Sequence, residues 1–303
     1  MQTKFKHIFH KLCCFIDPRI EMKRCYKKVF GFYPNIEEPK NLIEKIYWLQ
    51  LNSDTSLWTL CADKYKVREY ISNLGLIDYM PALYGKWDNI NDINFDELPK
   101  SFVLKTNNGC GSVIIVKDKS KINISSIKTK LANWMSAKFG YSGSQLHYLN
   151  IKPCIIAEEL LEQDVYQKGI SPNSIIDYKI WCINGKAESI LIVYNRSSKS
   201  YNLDLYDIYW DKMENCLNMN GHFEYDERII HKPECLSEMI EIAEKISKAF
   251  HEVRVDFYVV NKKPVIGELT FTTGYGYFTL DYYNYLGSKM INVPSKINKN
   301  NTI

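Results

Sequence analysis

Residues 253–271, VRVDFYVVNKKPVIGELTF, decide the fold, because their pattern predicts two antiparallel strands joined by a turn at 261–263. Successive side chains of a strand point to opposite faces of the sheet. The apolar residues of the first strand therefore share one face, and Arg254, Asp256 and Tyr258 share the other. In the second strand, alternation gives one face to Val265, Gly267, Leu269 and Phe271 and the other face to Ile266, Glu268 and Thr270.

A turn centred on Lys262 sets the expected register of this hairpin. It places Asp256 opposite Glu268, and it places the neighbouring Arg254 opposite Thr270. Two opposed carboxylates, with Cβ atoms about 5 Å apart, repel each other unless a cation lies between them. Mg²⁺ suits such a position, because it accepts a few carboxylate oxygens and completes its shell with water and phosphates. The hairpin therefore predicts a metal site. The alternatives are two solvated acids on an edge hairpin, or a register that differs by one residue.

The composition indicates an ordinary globular protein. The 303 residues are 46% hydrophobic and 24% charged, which suits one or two domains. The net charge of +4 is mild and no basic stripe concentrates it. We therefore expect no nucleic-acid partner, but an anionic ligand such as a nucleotide or an acidic sugar. Nine scattered cysteines without a C-x-x-C pair argue against zinc and indicate a reducing compartment.

The N-terminal stretch KFKHIFHKLCCFI, residues 4–16, has an amphipathic helical pattern. Its apolar face comprises Phe5, Ile8, Phe9, Leu12, Phe15 and Ile16. Too many cations interrupt it for a signal peptide, and no apolar run approaches the roughly 20 residues that cross a bilayer, so we expect a cytoplasmic protein. The helix either docks on the body of the protein, which is the commoner arrangement, or rests peripherally on a membrane surface.

The remaining pattern predicts an α+β protein with mainly antiparallel hairpins. Residues 1–60 have a mostly helical pattern, and a further helix fits 63–73 with Asp63 as its N-cap. Beyond Phe102, short β-rich runs alternate with helical stretches at about 125–139 and 234–250.

The segment FVLKTNNGCGSVIIVK, residues 102–117, places Lys105 at the end of one strand and a glycine-containing loop before the next. Gly109 and Gly111 allow positive φ, so that successive N–H groups can converge on phosphate oxygens, and Lys105 adds a positive charge. The order differs from that of a Walker A loop, and the protein-kinase motifs are absent. An ordinary Asn-Gly hairpin turn is the alternative.

Other charged residues accompany the predicted strands. Glu158 and Glu159 close the apolar run CIIAEELL, residues 154–161, where acids could meet adenine or ribose hydroxyls. Lys179 shares one strand face of DYKIWCINGK, residues 177–186, with Asp177, and Arg196 follows the next strand. Each of these could equally be a solvated surface charge.

Taken in order, these segments resemble the ATP-grasp superfamily, and in particular its TupA-like branch, which is associated with teichuronopeptide and other surface-polysaccharide gene clusters. The similarity extends over most of the chain. It is carried by DKYKVREYI (63–71), LPKSFVLKTNNGCGS (98–112), NIKPCIIAEELL (150–161), DYKIWCINGK (177–186) and VRVDFYVVNKKPVIGELTFTTGYG (253–276).

The resemblance implies an ATP-grasp fold, in which two α+β subdomains with antiparallel sheets sandwich ATP and a helical segment precedes them. The expected division is a helical segment at 1–60, the N-terminal subdomain at 61–160, the C-terminal subdomain at 161–295 and a frayed tail at 296–303. The implied ATP-binding residues are Lys64, Lys105, Asn107, Gly109, Gly111, Ser112, Glu158, Glu159, Leu160, Leu161 and Lys179. The implied catalytic residues are Arg254 and Lys105, the metal ligands are Asp256, Glu268 and Thr270, and the substrate-binding residues are Arg196, Gly274 and Gly276.

Two positions depart from the pattern that the resemblance implies. Thr270 stands where a third metal ligand is usually Asn, and a hydroxyl is a weaker ligand, so one or two metals could bind. The glycine loop has Asn108 and Cys110 where His and Ser are expected.

The activity implied by the resemblance is an ATP- and Mg²⁺-dependent carboxylate–amine ligation through an acyl phosphate. Its expected product is an amide between an amino acid and a surface glycan that contains uronic acid. The alternatives are a kinase that phosphorylates a glycan, a polysaccharide-cluster glycosyltransferase and an inactive ATP-binding scaffold. The segment LDLYD, residues 203–207, has the wrong spacing for the D-x-D motif of a glycosyltransferase. The presence of Lys105, Arg254, Asp256 and Glu268 argues against the scaffold.

Overall fold

The computed structural model describes residues 2–198, 200–218, 223–224, 228–273, 276–291 and 293, so the predicted frayed tail lies outside the described residues. The α-helices are α1 (Gln2–Ile16), α2 (Pro18–Phe30), α3 (Leu42–Asn52), α4 (Ser56–Ala62), α5 (Val67–Asn73), α6 (Ile124–Ser136), α7 (Val165–Ile170), α8 (Leu236–Ser247) and α9 (Leu280–Lys289). The strands are β1 (Leu83–Trp87), β2 (Phe102–Thr106), β3 (Val113–Val116), β4 (Ile155–Glu158), β5 (Asp177–Ile183), β6 (Lys186–Tyr194), β7 (Asn202–Tyr206), β8 (Glu252–Val260) and β9 (Lys263–Thr270).

The N-terminal segment is helical, as predicted, and its side chains explain where the helices begin and end. Asp17 caps α2 by accepting a backbone hydrogen bond at 2.9 Å, and Pro18 occupies the first helical position. Gly31 ends α2 with a φ of +83°. At the start of α3, Asn41 and Glu44 form a reciprocal capping box. In the described part of the chain, no helix combines the length and the apolarity needed to cross a bilayer.

Two antiparallel sheets form the body of the molecule. The strand order is β1-β4-β2-β3 in the first sheet and β7-β6-β5-β8-β9 in the second. This arrangement confirms the predicted α+β class with antiparallel sheets. Along the chain, β4 is the last strand of the first sheet and β5 is the first strand of the second. The chain therefore crosses from one sheet to the other after Glu158.

Strands β8 and β9 form the predicted hairpin, and Asp256 pairs with Glu268 as expected. The predicted turn is wrong in length. Asn261 and Lys262 alone form it, with φ values of +50° and +64°. Two consecutive positive φ values are typical of the type I′ turn, whose twist matches that of the flanking strands.

A β-bulge at Gly267 compensates for the shorter turn. Because Gly267 is the extra residue, Phe257 pairs with Ile266, and the predicted register is restored only beyond the bulge. A side chain at Gly267 would not fit, since its Cβ would lie 2.9 Å from the ring of Tyr258. The predicted faces are wrong before the bulge: Ile266 is fully buried on the core face, whereas Val265 is only half-buried.

The helix predicted at 63–73 begins later than expected, because Asp63 caps a turn rather than the helix itself. The Asp63 carboxylate accepts from the backbone N–H groups of Tyr65 at 2.9 Å and Lys66 at 3.2 Å. The helix proper, α5, starts at Val67. This turn directs Lys64 away from the helix and toward the glycine loop.

The sequence pattern does not predict β1 or β7, each of which forms one edge of its sheet. Both are short: β1 contains Gly85 and Lys86 and lacks a clear alternation, whereas β7 alternates but includes the buried polar residues Asn202 and Asp204. The segment 203–207 lies in and just after β7, where Asp204 is buried and accepts a hydrogen bond from Tyr194 at 3.2 Å. A salt bridge of 2.9 Å also joins Asp204 to Lys212. These contacts give Asp204 a structural role and argue against a sugar-nucleotide site.

The helical segment and the C-terminal helix hold each other through a close backbone approach. Lys45 on α3 donates to the carbonyls of Gly287 and Met290, both at 2.7 Å. A Cβ at Gly287 would lie 2.6 Å from the Cα of Asn41 and still closer to the carbonyl oxygen of Lys40. Only glycine therefore permits α9 to contact the N-terminus of α3.

We expect the substitution Gly287→Ala to lower the free energy of unfolding by about 1–3 kcal/mol, because the added methyl group meets backbone atoms that cannot rotate away. Urea unfolding followed by circular dichroism measures this difference. The control is Gly169→Ala in α7, where an added Cβ meets nothing within 4 Å. That change should be neutral or stabilising by roughly 0.5–1 kcal/mol. Equal effects of the two substitutions would contradict the packing argument.

Candidate active site

A compact cluster of charges lies on one face of the second sheet. Arg254 donates to both carboxylate oxygens of Asp256, from Nε at 2.6 Å and from Nη2 at 2.7 Å. Lys179, which pairs with Asp256 across β5 and β8, donates to the same carboxylate. Burial would raise the pKa of Asp256, but the two cations outweigh burial and hold that pKa below its ordinary value. Asp256 is therefore a buried anion.

Glu268 is the more open of the two opposed acids, with 36% of its side chain exposed. Its carboxylate lies 3.6 Å from Arg254 and 3.9 Å from the ammonium group of Lys64. Arg254 also donates to Thr270 Oγ1 at 3.0 Å, and its guanidinium lies 5.3 Å from the ring centre of Trp181. The guanidinium is thus held by an acid, a hydroxyl and an aromatic ring.

Asp177 extends the charge cluster along β5. The Lys179 ammonium lies 2.6 Å from the Asp177 carboxylate, and Arg196 lies 3.7 Å from it. Burial raises the pKa of Asp177 although Lys179 opposes this effect, and the neighbouring Asp256 adds to the rise. Burial would lower the pKa of Lys179, but the two aspartates raise it, so the lysine keeps its charge.

A second cluster lies at the end of β4 in the first sheet. Glu158 accepts from Lys105 at 2.7 Å and from Arg68 at 2.8 Å. Burial would raise the pKa of Glu158, but these two cations lower it below its ordinary value. Arg68 also donates to the carbonyl oxygen of Pro81 at 2.6 Å. The cluster therefore fixes the Lys105 side chain beside the glycine loop.

The glycine loop, residues 107–112, joins β2 to β3 and is too long for a tight Asn-Gly turn, so that alternative is excluded. Its first residue anchors it, because the Asn107 side chain accepts from Cys154 N at 2.7 Å. At its other end, Thr106 donates to Ser112 Oγ at 2.7 Å. The loop is thus tied at both ends to the first sheet.

Gly109 and Gly111 are each required to be glycine, but for different structural reasons. Gly111 has a φ of +77°, which favours glycine. A Cβ at Gly109 would lie 2.8 Å from the ring of Phe139. The Gly109 carbonyl accepts from Lys64, whose ammonium is also 3.9 Å from Glu268. Lys64 therefore links the loop of the first sheet to the acids of the second.

The connection that follows β4 contains the predicted adenine-binding residues. Glu159 is exposed and exchanges backbone and side-chain hydrogen bonds with Ala82, at 2.9 Å and 3.3 Å. Leu160 and Leu161 are half-buried and lie between β4 and α7, outside any helix or strand. Their backbone groups are therefore not used by a sheet or a helix.

The predicted substrate-binding residues are more dispersed. Arg196 is half-exposed and reaches the edge of the charge cluster through Asp177. Gly276 has a φ of +89°, and its N–H donates to the Tyr283 hydroxyl at 3.2 Å, so its described contact is with α9 rather than with the cluster. Gly274 lies outside the described residues.

The structure thus brings most of the predicted site residues into two neighbouring clusters. Sequence reasoning missed Arg68 as a partner of Glu158, although Arg68 lies in the quoted segment DKYKVREYI, four residues after Lys64. It also missed Trp181 beneath the guanidinium of Arg254, and Asp177 was noted only as a strand neighbour of Lys179. The signal for Asp177 and Trp181 was their two-residue spacing from Lys179 on one strand face.

The donor set fits a cation that also binds phosphate. Within the described part of the chain, no group of three or more His, Cys, Asp or Glu side chains could hold a metal by itself. Asp256 and Glu268 supply two opposed carboxylates, and one of them is open to solvent. Mg²⁺ bound through one or two carboxylates normally takes further oxygens from water and substrate phosphates.

The family described as TupA-like ATPgrasp matches residues 44–291, which is more than half of the chain. The protein belongs to the TupA-like ATP-grasp family.

Three similar solved structures are distant from this chain in sequence. D-alanine–D-alanine ligase from Bacillus anthracis, complexed with ATP, is 16% identical with a TM-score of 0.47, over 77% of this chain and 66% of that one. L-amino acid ligase from Bacillus licheniformis is 14% identical with a TM-score of 0.45, over 84% and 55%. The ATP-grasp ligase PsnB, complexed with a minimal precursor, is 11% identical with a TM-score of 0.44, over 83% and 67%. The chain thus spans less than two thirds of the first two proteins. A comparison with curated proteins finds no match.

Two further titratable groups, His147 and Glu252, are fully buried. His147 is fully buried beside Tyr148, with ring centres 4.3 Å apart, and burial lowers its pKa to about 3. Neither ring nitrogen has a hydrogen-bond partner within the described residues. Glu252 lies on the Arg254 face of β8, and burial raises its pKa well above the ordinary value, although Arg254 opposes the rise. His147 is therefore neutral near pH 7, and Glu252 holds a proton more readily than an ordinary glutamate.

We expect His147 to make the protein less stable in mild acid. The unfolded chain binds a proton at His147 near the ordinary pKa of about 6.5, whereas the folded protein resists it down to about pH 3, so stability falls as the pH drops through this interval. Between pH 7 and pH 5 the wild type should lose about 2 kcal/mol more than the variant His147→Leu. Urea unfolding at both pH values measures the difference.

The matched control is His251→Leu, which changes an exposed histidine. It should leave the pH dependence of unfolding close to that of the wild type. Parallel pH profiles for wild type and His147→Leu would show that His147 does not have the lowered pKa.

Proposed function

We propose that the protein is an ATP- and Mg²⁺-dependent carboxylate–amine ligase that forms an amide through an acyl phosphate. The observation that carries the proposal is the opposition of Asp256 and Glu268 beside the buried cations Arg254 and Lys179. The two cations, together with a Mg²⁺ ion held by the two acids, would suit an anionic reaction centre, because preorganised groups need not reorient during the reaction. Family membership supports the same chemistry.

ATP would bind between the two clusters. Lys64 and Lys105 would contact its phosphates, and the loop 107–112, with Asn107, Gly109, Gly111 and Ser112, would cover them. Both lysines are already held near this loop, Lys64 by the Gly109 carbonyl and Lys105 by Glu158. The adenine would lie along Glu158, Glu159, Leu160 and Leu161, where backbone groups outside the sheets can pair with its edge.

Asp256 and Glu268 would hold Mg²⁺, with Thr270 as a third ligand. When bound there, the ion would neutralise phosphate charge and orient the phosphates of ATP. Thr270 Oγ1 accepts from Arg254 at 3.0 Å, so its use as a ligand requires it to share a lone pair with that guanidinium. Asp256 shares its two oxygens with Arg254 in the same way, so Glu268, which is 36% exposed, is the ligand most open to the ion.

The proposed reaction begins with transfer of the γ-phosphoryl group of ATP to the substrate carboxylate. A substrate carboxylate oxygen attacks the γ-phosphorus, the bond to the β-phosphate oxygen breaks, and ADP leaves. Arg254 and Lys179 would stabilise the charge on the transferring group. An amine nitrogen then attacks the acyl carbon, phosphate leaves, and the amine loses a proton. The loop over the site would exclude water from the acyl phosphate.

The substrates we propose are a glycan that contains uronic acid and an amino acid. The surface-polysaccharide association of the TupA-like branch supports the glycan, and the mild positive charge of the chain suits an acidic partner. Arg196, half-exposed at the edge of the charge cluster, would hold the carboxylate, and the loop with Gly274 and Gly276 would approach it. The reaction would take place in the cytoplasm, where ATP is available.

We expect Glu268→Gln to lower ATP-dependent ADP formation by about 100-fold or more, because the amide cannot supply the negative charge that the metal needs. A coupled assay for ADP, with Mg²⁺ and the substrate mixture, measures the loss. Glu234→Gln is the matched control, since Glu234 is exposed and pairs with Lys262 at the tip of the same hairpin. If Glu268→Gln keeps the wild-type rate, the proposed metal site is wrong.

The reaction itself is tested with ATP, Mg²⁺, a uronic-acid glycan and a pool of amino acids, with the products followed by mass spectrometry. We expect ADP and a glycan amide. Hydroxylamine in place of the amino acids should trap the acyl phosphate as a hydroxamate. A phosphorylated glycan, without hydroxamate, would identify a kinase. No use of ATP in any mixture would overturn the proposed function.

A further inference from the structure

The N-terminal helical pair exposes an apolar face that the fold leaves uncovered. Phe15 is 88% exposed and Ile16 is 73% exposed. The remaining exposed apolar residues of this face of α1 are Ile8, Phe9 and Leu12. Apolar side chains that are contiguous on a helix and exposed to water mark a site of interaction with a protein or a membrane.

The helix contacts the body of the protein through its other side. His10 lies 2.8 Å from the carboxylate of Glu21, Cys13 is buried, and the Cys14 sulfur lies 3.5 Å from the Ser144 hydroxyl. The helix therefore contacts the rest of the chain through a side other than its apolar face. The side chain of Phe5, expected on the same face, lies outside the described residues.

The next helix adds a basic basin of about 780 Å³, which is open to solvent. Its cations are Lys23, Arg24, Lys27 and Lys28 of α2. Arg24 is neutralised by Glu21 through hydrogen bonds of 2.8 Å and 2.7 Å. The three lysines have no carboxylate within 4.0 Å among the described residues, and Lys27 lies 4.3 Å from the ring centre of Tyr33. The basin therefore presents net positive charge beside an exposed aromatic ring.

The platform under the basin is rigid. On the opposite side of α2, Met22 and Tyr26 are fully buried. The Tyr26 hydroxyl accepts from the Asn41 side chain at 2.8 Å, and the Met22 carbonyl accepts from Tyr47 at 3.2 Å. These contacts fix helix α2 against the rest of the chain, and its lysines therefore face solvent from an anchored helix.

The apolar face and the basin are consecutive in the chain. Ile16 ends α1, Asp17 caps α2, and Ile20, which lines the basin, is itself exposed. A helix with exposed apolar side chains next to lysines and an interfacial tyrosine matches the chemistry of an anionic lipid surface. A symmetric dimer is a poorer occupant, because it would bring the two sets of lysines toward each other.

We propose that α1 and α2 form a peripheral docking surface for a membrane that contains anionic lipids. The side chains of Phe9, Leu12, Phe15 and Ile16 enter the acyl boundary, and Lys23, Lys27 and Lys28 bind headgroup phosphates. The surface is independent of the proposed ligase reaction, although a lipid-linked glycan would give it a purpose.

The test is flotation of the purified full-length protein with vesicles of phosphatidylcholine alone or mixed with phosphatidylglycerol, in the absence of ATP and glycan. Binding should require phosphatidylglycerol and weaken as the salt concentration rises. Lys23→Gln with Lys27→Gln should weaken binding roughly 30-fold, at about fivefold for each cation. Phe15→Ser with Ile16→Ser should weaken it about tenfold or more.

Matched controls come from other exposed residues. Val165→Ser on α7 removes an apolar side chain with the same exposure as Phe15, and Lys130→Gln with Lys245→Gln removes two exposed cations from α6 and α8. Both controls should bind like the wild type, and all variants should retain the wild-type thermal melting temperature.

Absence of binding to the anionic vesicles would overturn the proposal, as would equal losses in the test and control variants. Sedimentation velocity tests the alternative that a second copy of the chain covers the apolar face. A dimer that Phe15→Ser with Ile16→Ser abolishes, in a protein that does not bind vesicles, would assign the face to a second copy of the chain. Failure in this assay leaves the ligase test unaffected, because no substrate is present.

Discussion

The rest of the site depends on the opposition of two carboxylates, Asp256 and Glu268, across β8 and β9. A buried anion is costly unless it is paired and hydrogen-bonded. Asp256 meets this requirement through Arg254 on its own strand and Lys179 on the neighbouring strand. The strand order β5-β8-β9 is therefore needed for the charge pairing, because it places Lys179 on one side of Asp256 and Glu268 on the other.

The first sheet also contains a buried carboxylate that is stabilised by two cations: Glu158 lies between Lys105 and Arg68. In both sheets, acids hold cations at fixed positions next to a loop or a strand end. Lys64 connects the two arrangements, since it reaches the glycine loop and Glu268 together. Cations that are already held in place lose little freedom when an anionic ligand binds, and this preorganisation is the physical basis for the proposed phosphoryl chemistry.

For the N-terminal helix, the sequence pattern predicted the helix correctly but did not predict what its apolar face contacts. The periodicity of residues 4–16 predicts a helix with an apolar face, and α1 has that face. The two expected arrangements were docking on the body of the protein and rest on a membrane, and the described contacts of α1 come from His10, Cys13 and Cys14 rather than from the apolar face. What an apolar helix face packs against depends on the surfaces of the rest of the folded chain. The periodicity of one helix contains no information about those surfaces.

The amino-acid sequence by itself determined the α+β class, the helical N-terminus, the hairpin of β8 and β9 and the family. These features follow from local periodicity and from motifs that are contiguous in the chain. Only the tertiary structure decided the bulge at Gly267, which depends on contact with the Tyr258 ring and which allowed a wrong turn length to give the right pairing. It also decided that Arg68 holds Glu158, 90 residues away, and that Lys64 joins the two sheets. Such contacts join side chains that are distant along the chain, so no local pattern specifies them and the packing of the whole molecule selects them.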